Sequence, residues 1–145
     1  MTLKDRKDPI EVSAAIIYRR GLILATQRPD DAPWSGYWEF PGGKREGSET
    51  PARTLLRELA EELGIKAKEY RLLKTIDHAY DDYSVRLSFF LVTSYNGAPC
   101  PREEQNMRWI RPEDLDELHF LPADTEMLKI LKSERELLPW ETPER

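Results

Sequence analysis

The segment Gly43-Lys44-Arg45-Glu46-Gly47-Ser48-Glu49-Thr50-Pro51-Ala52-Arg53-Thr54-Leu55-Leu56-Arg57-Glu58-Leu59-Ala60-Glu61-Glu62-Leu63-Gly64-Ile65 decides how the rest of the chain is read. Its first seven residues form a glycine-containing loop. Thr50-Pro51 is a helix start, with a hydroxyl to cap and a proline at the first helical position, where no backbone N–H is needed. Ala52, Leu55, Leu56, Leu59 and Leu63 then recur at helical spacing and make one apolar stripe. Gly64 is the C-terminal stop.

Beside that stripe stand Glu58, Glu61 and Glu62, at i, i+3 and i+4. At about 100° per residue they share one helix face. Like charges so close repel, and no lysine is interleaved to relieve them. A solvated acidic face is the bland explanation. A bound cation is the other, and all-oxygen ligands favour magnesium, with manganese as the alternative, over zinc.

Working outward, Glu11 to Tyr18 alternates as a strand, and Arg19-Arg20-Gly21 turns into a second, antiparallel strand from Leu22 to Thr26. Pro29 to Gly36 reads as a loop, and Trp38-Glu39-Phe40 as a short strand stopped by Pro41-Gly42-Gly43. Beyond the helix, Tyr70 to His78, Tyr83 to Tyr95 and Met107 to Ile110 read as strands. Pro112 to Leu118 reads as a short helix and Ala123 to Ser133 as the last one. Hairpin-linked strands mixed with helices argue for an α+β fold around a mixed sheet rather than a doubly wound one.

The 145 residues suit a single domain, with a core from about 10 to 135 and flanking tails at 1–9 and 136–145. A net charge of −5 speaks against a nucleic acid polymer as partner, and leaves a small anionic substrate open. The single cysteine, Cys100, excludes an internal disulfide and has no neighbours marking it as a nucleophile. No apolar run reaches the roughly 18 residues of a membrane span. The charged N-terminus lacks a signal core, so the cytoplasm is the expected compartment. A monomer and a homodimer are equally consistent with the chain.

The stretch Gly43 to Ile65 resembles the Nudix box: Gly, five residues, Glu, seven residues, Arg-Glu, an apolar residue, any residue, Glu-Glu, any residue, Gly, an apolar residue. Every specified position matches. The resemblance implies an α/β/α sandwich with a mixed sheet, and a magnesium-dependent pyrophosphohydrolase. It implies metal ligation by Glu58, Glu61 and Glu62 with the carbonyl of Gly42, and a carboxylate-orienting role for Arg57. Gly43, Glu49 and Gly64 support the box. For the base that takes a proton from water, Glu58 is the first candidate. Glu103 is the second, because Glu103-Glu104-Gln105 resembles the later-loop glutamate of MutT-type members, and it would then also help hold metal.

Trp38-Glu39-Phe40-Pro41-Gly42-Gly43-Lys44 resembles the entry to the box in MutT-type nucleoside triphosphate pyrophosphohydrolases. That implies cleavage of a nucleotide such as 8-oxo-dGTP to the monophosphate and pyrophosphate, with CTP or a modified dCTP as the alternative. Three residues outside the box bear on the base. Arg28 would meet a phosphate or a base edge, or is a surface arginine. Phe40 would pack on the base or sugar, or is core. Asp124 stands where the resemblance to MutT-type members implies a base-reading asparagine, and it is either a base reader or a helix cap. An ionised aspartate only accepts hydrogen bonds, whereas a protonated one imitates asparagine if burial raises its pKa. Trp34, Tyr37, Trp38 and His78 are further aromatic candidates, each with core or rim as its bland reading. An ADP-ribose hydrolase and a Nudix-fold binding module without turnover are the rival functions.

Overall fold

Strand β1 (Ile10–Arg19) is apolar on both faces, and that places it at the centre of the sheet. In the computed structural model, which describes residues 8–134, 136 and 138, it is followed by β2 (Leu22–Gln27), β3 (Trp38–Glu39) and β4 (Gly42–Lys44). Helix α1 (Pro51–Leu63), β5 (Lys66–Ala79), β6 (Ser84–Asn96) and β7 (Asn106–Ile110) come next. Two 3₁₀ turns, Pro112–Glu117 and Pro122–Asp124, lead to α2 (Thr125–Ser133). The charged stretch 1–7 and, apart from Glu136 and Leu138, the expected tail 136–145 lie outside the described residues.

The main path of the sheet is β3-β2-β1-β6-β5. β1 pairs β6 in parallel from Ile10 to Ile17, and the other pairings are antiparallel, so the sheet is mixed as expected. On its other edge β1 is shared. β4 pairs its first half at Val12–Ala14, and β2 pairs its end at Tyr18 and Arg19. Between those pairings β1 and β2 diverge, which gives a cavity room to open.

The faces of β1 feed two cores. Ala14 and Ile16 pack with Phe89, Leu91, Met127 and Leu131 under α2. Ala15 and Ile17 pack with Leu55, Leu59, Leu63 and Val92 under α1. One helix on each face is the α/β/α sandwich. Thr50 caps α1 as its sequence requires, accepting from the Arg53 N–H at 3.2 Å, and Gly64 ends it at φ 70°.

Beyond one-residue shifts at strand ends, three elements differ from the sequence reading. Gly42–Lys44 is a strand rather than a loop, because its extended state comes from pairing with β1. β5 starts at Lys66, not Tyr70. It is an edge strand, and its exposed charged residues and register shifts erase the apolar alternation while guarding the edge. The short helix expected after Arg111 is present as the 3₁₀ helix Pro112–Glu117, whereas the last α-helix begins at Thr125, two residues later than expected.

Candidate active site

Helix α1 lies over β4 and β1, and Ser13 Oγ of β1 donates to the Pro51 carbonyl at 2.8 Å. That packing brings the loop before the helix back onto its acidic face. Arg57 organises the junction. Its Nε donates to Glu49 Oε2 at 2.7 Å and its Nη2 to Glu49 Oε1 at 3.0 Å. Nη1 reaches Glu58 at 2.9 Å and Glu61 at 3.3 Å, and Nη2 also donates to the Lys44 carbonyl at 2.8 Å. Glu49 further accepts from the Glu46 N–H and the Thr54 hydroxyl. The hydrogen bonds from Arg57, then that from Glu46, hold its carboxyl down to about 2.

Gly43 lies against Glu58. A Cβ at this position would fall on the Glu58 carboxylate, so only glycine lets β4 and the carboxylate approach so closely. Glu62 is buried, and the Gly42 N–H donates to it at 3.3 Å. Burial, then the charges of Glu39, Glu103 and Glu58, push its carboxyl up to about 9. Burial also raises Glu39 and Glu58, against the lowering effects of Arg28 and Arg57 respectively.

The loop carrying Glu103 is latched to the end of α1. The Cys100 N–H donates to the Leu63 carbonyl at 3.0 Å, and the Arg102 N–H to the Glu62 carbonyl at 3.0 Å. Buried Gln105 accepts from the Glu103 N–H at 2.9 Å and donates to the Glu62 carbonyl at 3.4 Å. Four carboxylates from two elements and this loop thus come within electrostatic reach of one another: Glu39 on β3, Glu58 and Glu62 on α1, and Glu103.

Among the described residues no three acidic, His or Cys side chains close on a common point in this conformation. Glu58 is turned to Arg57, and the Glu61 side chain is 53% exposed. The donor set still fits a hard divalent cation. It is all oxygen, and the negative charge that raises Glu62 has no cationic partner on Glu62 itself among the described residues.

A cavity of about 620 Å³ opens beside this cluster. It is lined by Glu39, Glu62 and Glu103 and equally by Val12, Phe40, Val85, Leu87 and Asp124. Acidic and apolar walls in one cavity suit a ligand that is charged in one part and flat and apolar in another.

The NUDIX domain model matches residues 12–130. The chain belongs to the Nudix family. An 8-oxo-dGTP diphosphatase of Proteus vulgaris is 43% identical over 90 residues, which is 61% of this chain and 80% of that protein. The CTP pyrophosphohydrolase of Escherichia coli K12 is 36% identical over 130 residues, 90% of this chain and 96% of that protein. Among solved structures, a MutT chain from work on the Aliivibrio salmonicida and Vibrio cholerae proteins superposes with a TM-score of 0.76. It is 35% identical, and the match covers 88% of this chain and 99% of that one.

The Nudix fold brings most of the expected residues together. Gly42, Gly43 and Glu49, on the strand and loop before the box helix, lie along the face of that helix that carries Arg57, Glu58, Glu61 and Glu62, and the loop of Glu103 is latched to the helix end. Phe40 packs on Phe89 and Phe120 in the core and also lines the cavity. Arg28 is no free surface arginine. Its Nη1 lies 3.2 Å from both Glu39 oxygens, and its Nε donates to the Pro33 carbonyl at 2.6 Å.

Asp124 is buried and lines the cavity. Its side chain makes no cap hydrogen bond to α2, so the helix-cap alternative fails. It receives the Phe40 N–H instead, and burial, then the charge of Glu39, raise its carboxyl well above the ordinary range. Among the aromatics, Trp34 lines the cavity, whereas Tyr37 packs on His119, His78 on Tyr80, and Trp38 on the core. Sequence reasoning missed Glu39 and Gln105. The signal for Glu39 was a charge between two aromatics in a short strand, and nothing local marked Gln105.

Proposed function

We propose that this chain folds as one catalytic domain and hydrolyses a nucleoside triphosphate to the monophosphate and pyrophosphate, with a modified purine deoxynucleotide such as 8-oxo-dGTP as substrate. The observation that carries the reading is one cavity lined at once by Glu62 of the box, with Glu39 and Glu103, and by the buried Asp124.

On this reading Glu58, Glu61 and Glu62, with the Gly42 carbonyl and Glu103, hold magnesium. When bound, a divalent cation would supply charge neutralisation for the phosphate oxygens and lower the pKa of water. Arg57 orients Glu58 and Glu61 through its hydrogen bonds, and Glu49 fixes Arg57. Either Glu58 or Glu103 takes the water proton. Two observations support Glu103 and reverse the order read from sequence. Glu103 lines the cavity, whereas the Glu58 carboxylate does not and is already engaged by Arg57. A pH–rate profile that loses its acidic limb in Glu103→Gln, and keeps it in Glu58→Gln, would support that order; the converse would restore Glu58.

Asp124 supports the base assignment. Held protonated by burial, it presents one donor and one acceptor, as asparagine does. That pair matches O6 and the N7 proton of 8-oxoguanine. It mismatches guanine, whose O6 and N7 both accept. A second reading has its own support. The N3 acceptor and N4 donor of cytosine match the same carboxyl, and the Escherichia coli relative that covers 90% of this chain is a CTP pyrophosphohydrolase. Measuring kcat/KM for 8-oxo-dGTP, dGTP, CTP and 5-methyl-dCTP decides between them. Preference for 8-oxo-dGTP sustains the first reading, and preference for a cytidine nucleotide sustains the second.

A further inference from the structure

Trp34 is 41% exposed, belongs to neither core cluster among the described residues, and yet lines the cavity. Its backbone sits at φ 59°, a left-handed conformation that a bulky residue adopts only when its surroundings impose it. Here they do. The Pro29–Tyr37 loop is cinched on Arg28, whose N–H donates to the Tyr37 carbonyl at 2.9 Å and whose carbonyl accepts the Gly36 N–H at 3.2 Å. Arg28 Nε grips the Pro33 carbonyl, and the Tyr37 N–H returns to the Trp34 carbonyl at 3.1 Å. The strain thus holds a partly exposed indole at the cavity wall.

Its neighbours complete a wall. The Trp34 ring lies 5.9 Å from Tyr80, and Tyr80 stacks on Tyr83 at 5.0 Å with 27° between planes. All three line the cavity. The Tyr80 hydroxyl accepts the Ala123 N–H at 3.2 Å, next to Asp124. The aromatic wall and the carboxyl that would read a base edge are therefore joined through one tyrosine.

Resting on the nucleotide reading, we propose that Trp34 is a specificity-determining residue that stacks on the face of the nucleobase, with Tyr80 and Tyr83 extending the same wall. Asp124 reads the edge of the base, and Trp34 holds its plane. An indole supplies a large flat π surface, and the partner chemistry that fits is a planar heteroaromatic ring carried on a phosphate chain.

The test compares wild type with Trp34→Phe and Trp34→Leu, using 8-oxo-dGTP, CTP and the base-free ribose 5-triphosphate. Leucine fills space without a π face, and phenylalanine keeps one. Losing a base–aromatic stack raises KM for the nucleotides by about tenfold in Trp34→Leu, with kcat little changed and Trp34→Phe within about threefold of wild type. KM for ribose 5-triphosphate is unaltered in both variants. Equal KM values for nucleotides in wild type and Trp34→Leu would overturn the proposal, as would an equal rise for the base-free substrate. Absence of nucleotide turnover in the wild type is a separate failure, which removes the nucleotide reading and this proposal with it.

Discussion

Arg57 closes on Glu49 through two hydrogen bonds, Nε to Oε2 at 2.7 Å and Nη2 to Oε1 at 3.0 Å. The pair ties the loop before the box helix to the helix itself, and leaves Nη1 of Arg57 for Glu58 and Glu61. Lysine cannot reproduce this fork. Arg57→Lys is therefore expected to weaken magnesium dependence or activity by about 10–100-fold, the usual cost of losing an outer-shell partner. A magnesium titration of the rate checks it.

The same pair sets an acid limb on stability. Glu49 is held down to about 2, so it contributes stability above the ordinary carboxylate pKa and loses it as pH falls toward 2. In Glu49→Gln the melting temperature should fall less steeply on acidification than in wild type. Parallel melting curves from neutral to acid pH read this directly.

Gly43 has no room for a methyl group beside Glu58. Gly43→Ala must displace the carboxylate or part β4 from α1. Misplacing a reacting group by about an ångström costs on the order of a hundredfold in rate. We expect that loss in kcat/KM, with the protein still folded by circular dichroism. Full activity in Gly43→Ala would mean that Glu58 is not needed where it stands.

Much of this was visible in the sequence, for a physical reason. The α1 start, stop and acidic face are encoded by neighbouring residues, because Thr50, Pro51 and Gly64 act on their own backbone and glutamates three or four apart share a face in any helix. β4 was not visible, since Gly42 and Gly43 are extended only because β1 lies beside them. Nor was the burial of Asp124, which depends on β3 and the residues before α2 being joined: the Trp38 N–H donates to the His119 carbonyl, and the Leu121 N–H to that of Trp38. Glu39 and Gln105 act across 23 and 43 residues of chain on Glu62, a distance local patterning cannot bridge.

Asp124 makes a prediction of opposite sign to Glu49. Its raised pKa means the folded state holds a proton that the unfolded chain releases above the ordinary aspartate pKa. Stability therefore falls as pH rises from there toward the folded pKa. Asp124→Asn removes that loss, so its melting temperature relative to wild type should be more favourable near pH 8 than near pH 5. Discrimination of 8-oxo-dGTP from dGTP should persist in Asp124→Asn and drop by about 10–100-fold in Asp124→Ala, the range for a lost buried hydrogen-bonding partner.

Glu62 couples stability to the cation. With its carboxyl up at about 9, the metal-free protein loses stability as pH climbs toward that value. In a chelator near pH 8, Glu62→Gln should melt above wild type. Adding magnesium should raise the wild-type melting temperature and move the variant less. Equal magnesium shifts in the two proteins would detach Glu62 from the metal.

The most direct test is magnesium-dependent release of pyrophosphate from 8-oxo-dGTP and CTP by wild type and Glu61→Gln. The account predicts monophosphate and pyrophosphate in equal amounts from the wild type, and a rate lower by orders of magnitude in Glu61→Gln with its fold intact. Unchanged turnover in Glu61→Gln, or release of inorganic phosphate in place of pyrophosphate, would contradict it.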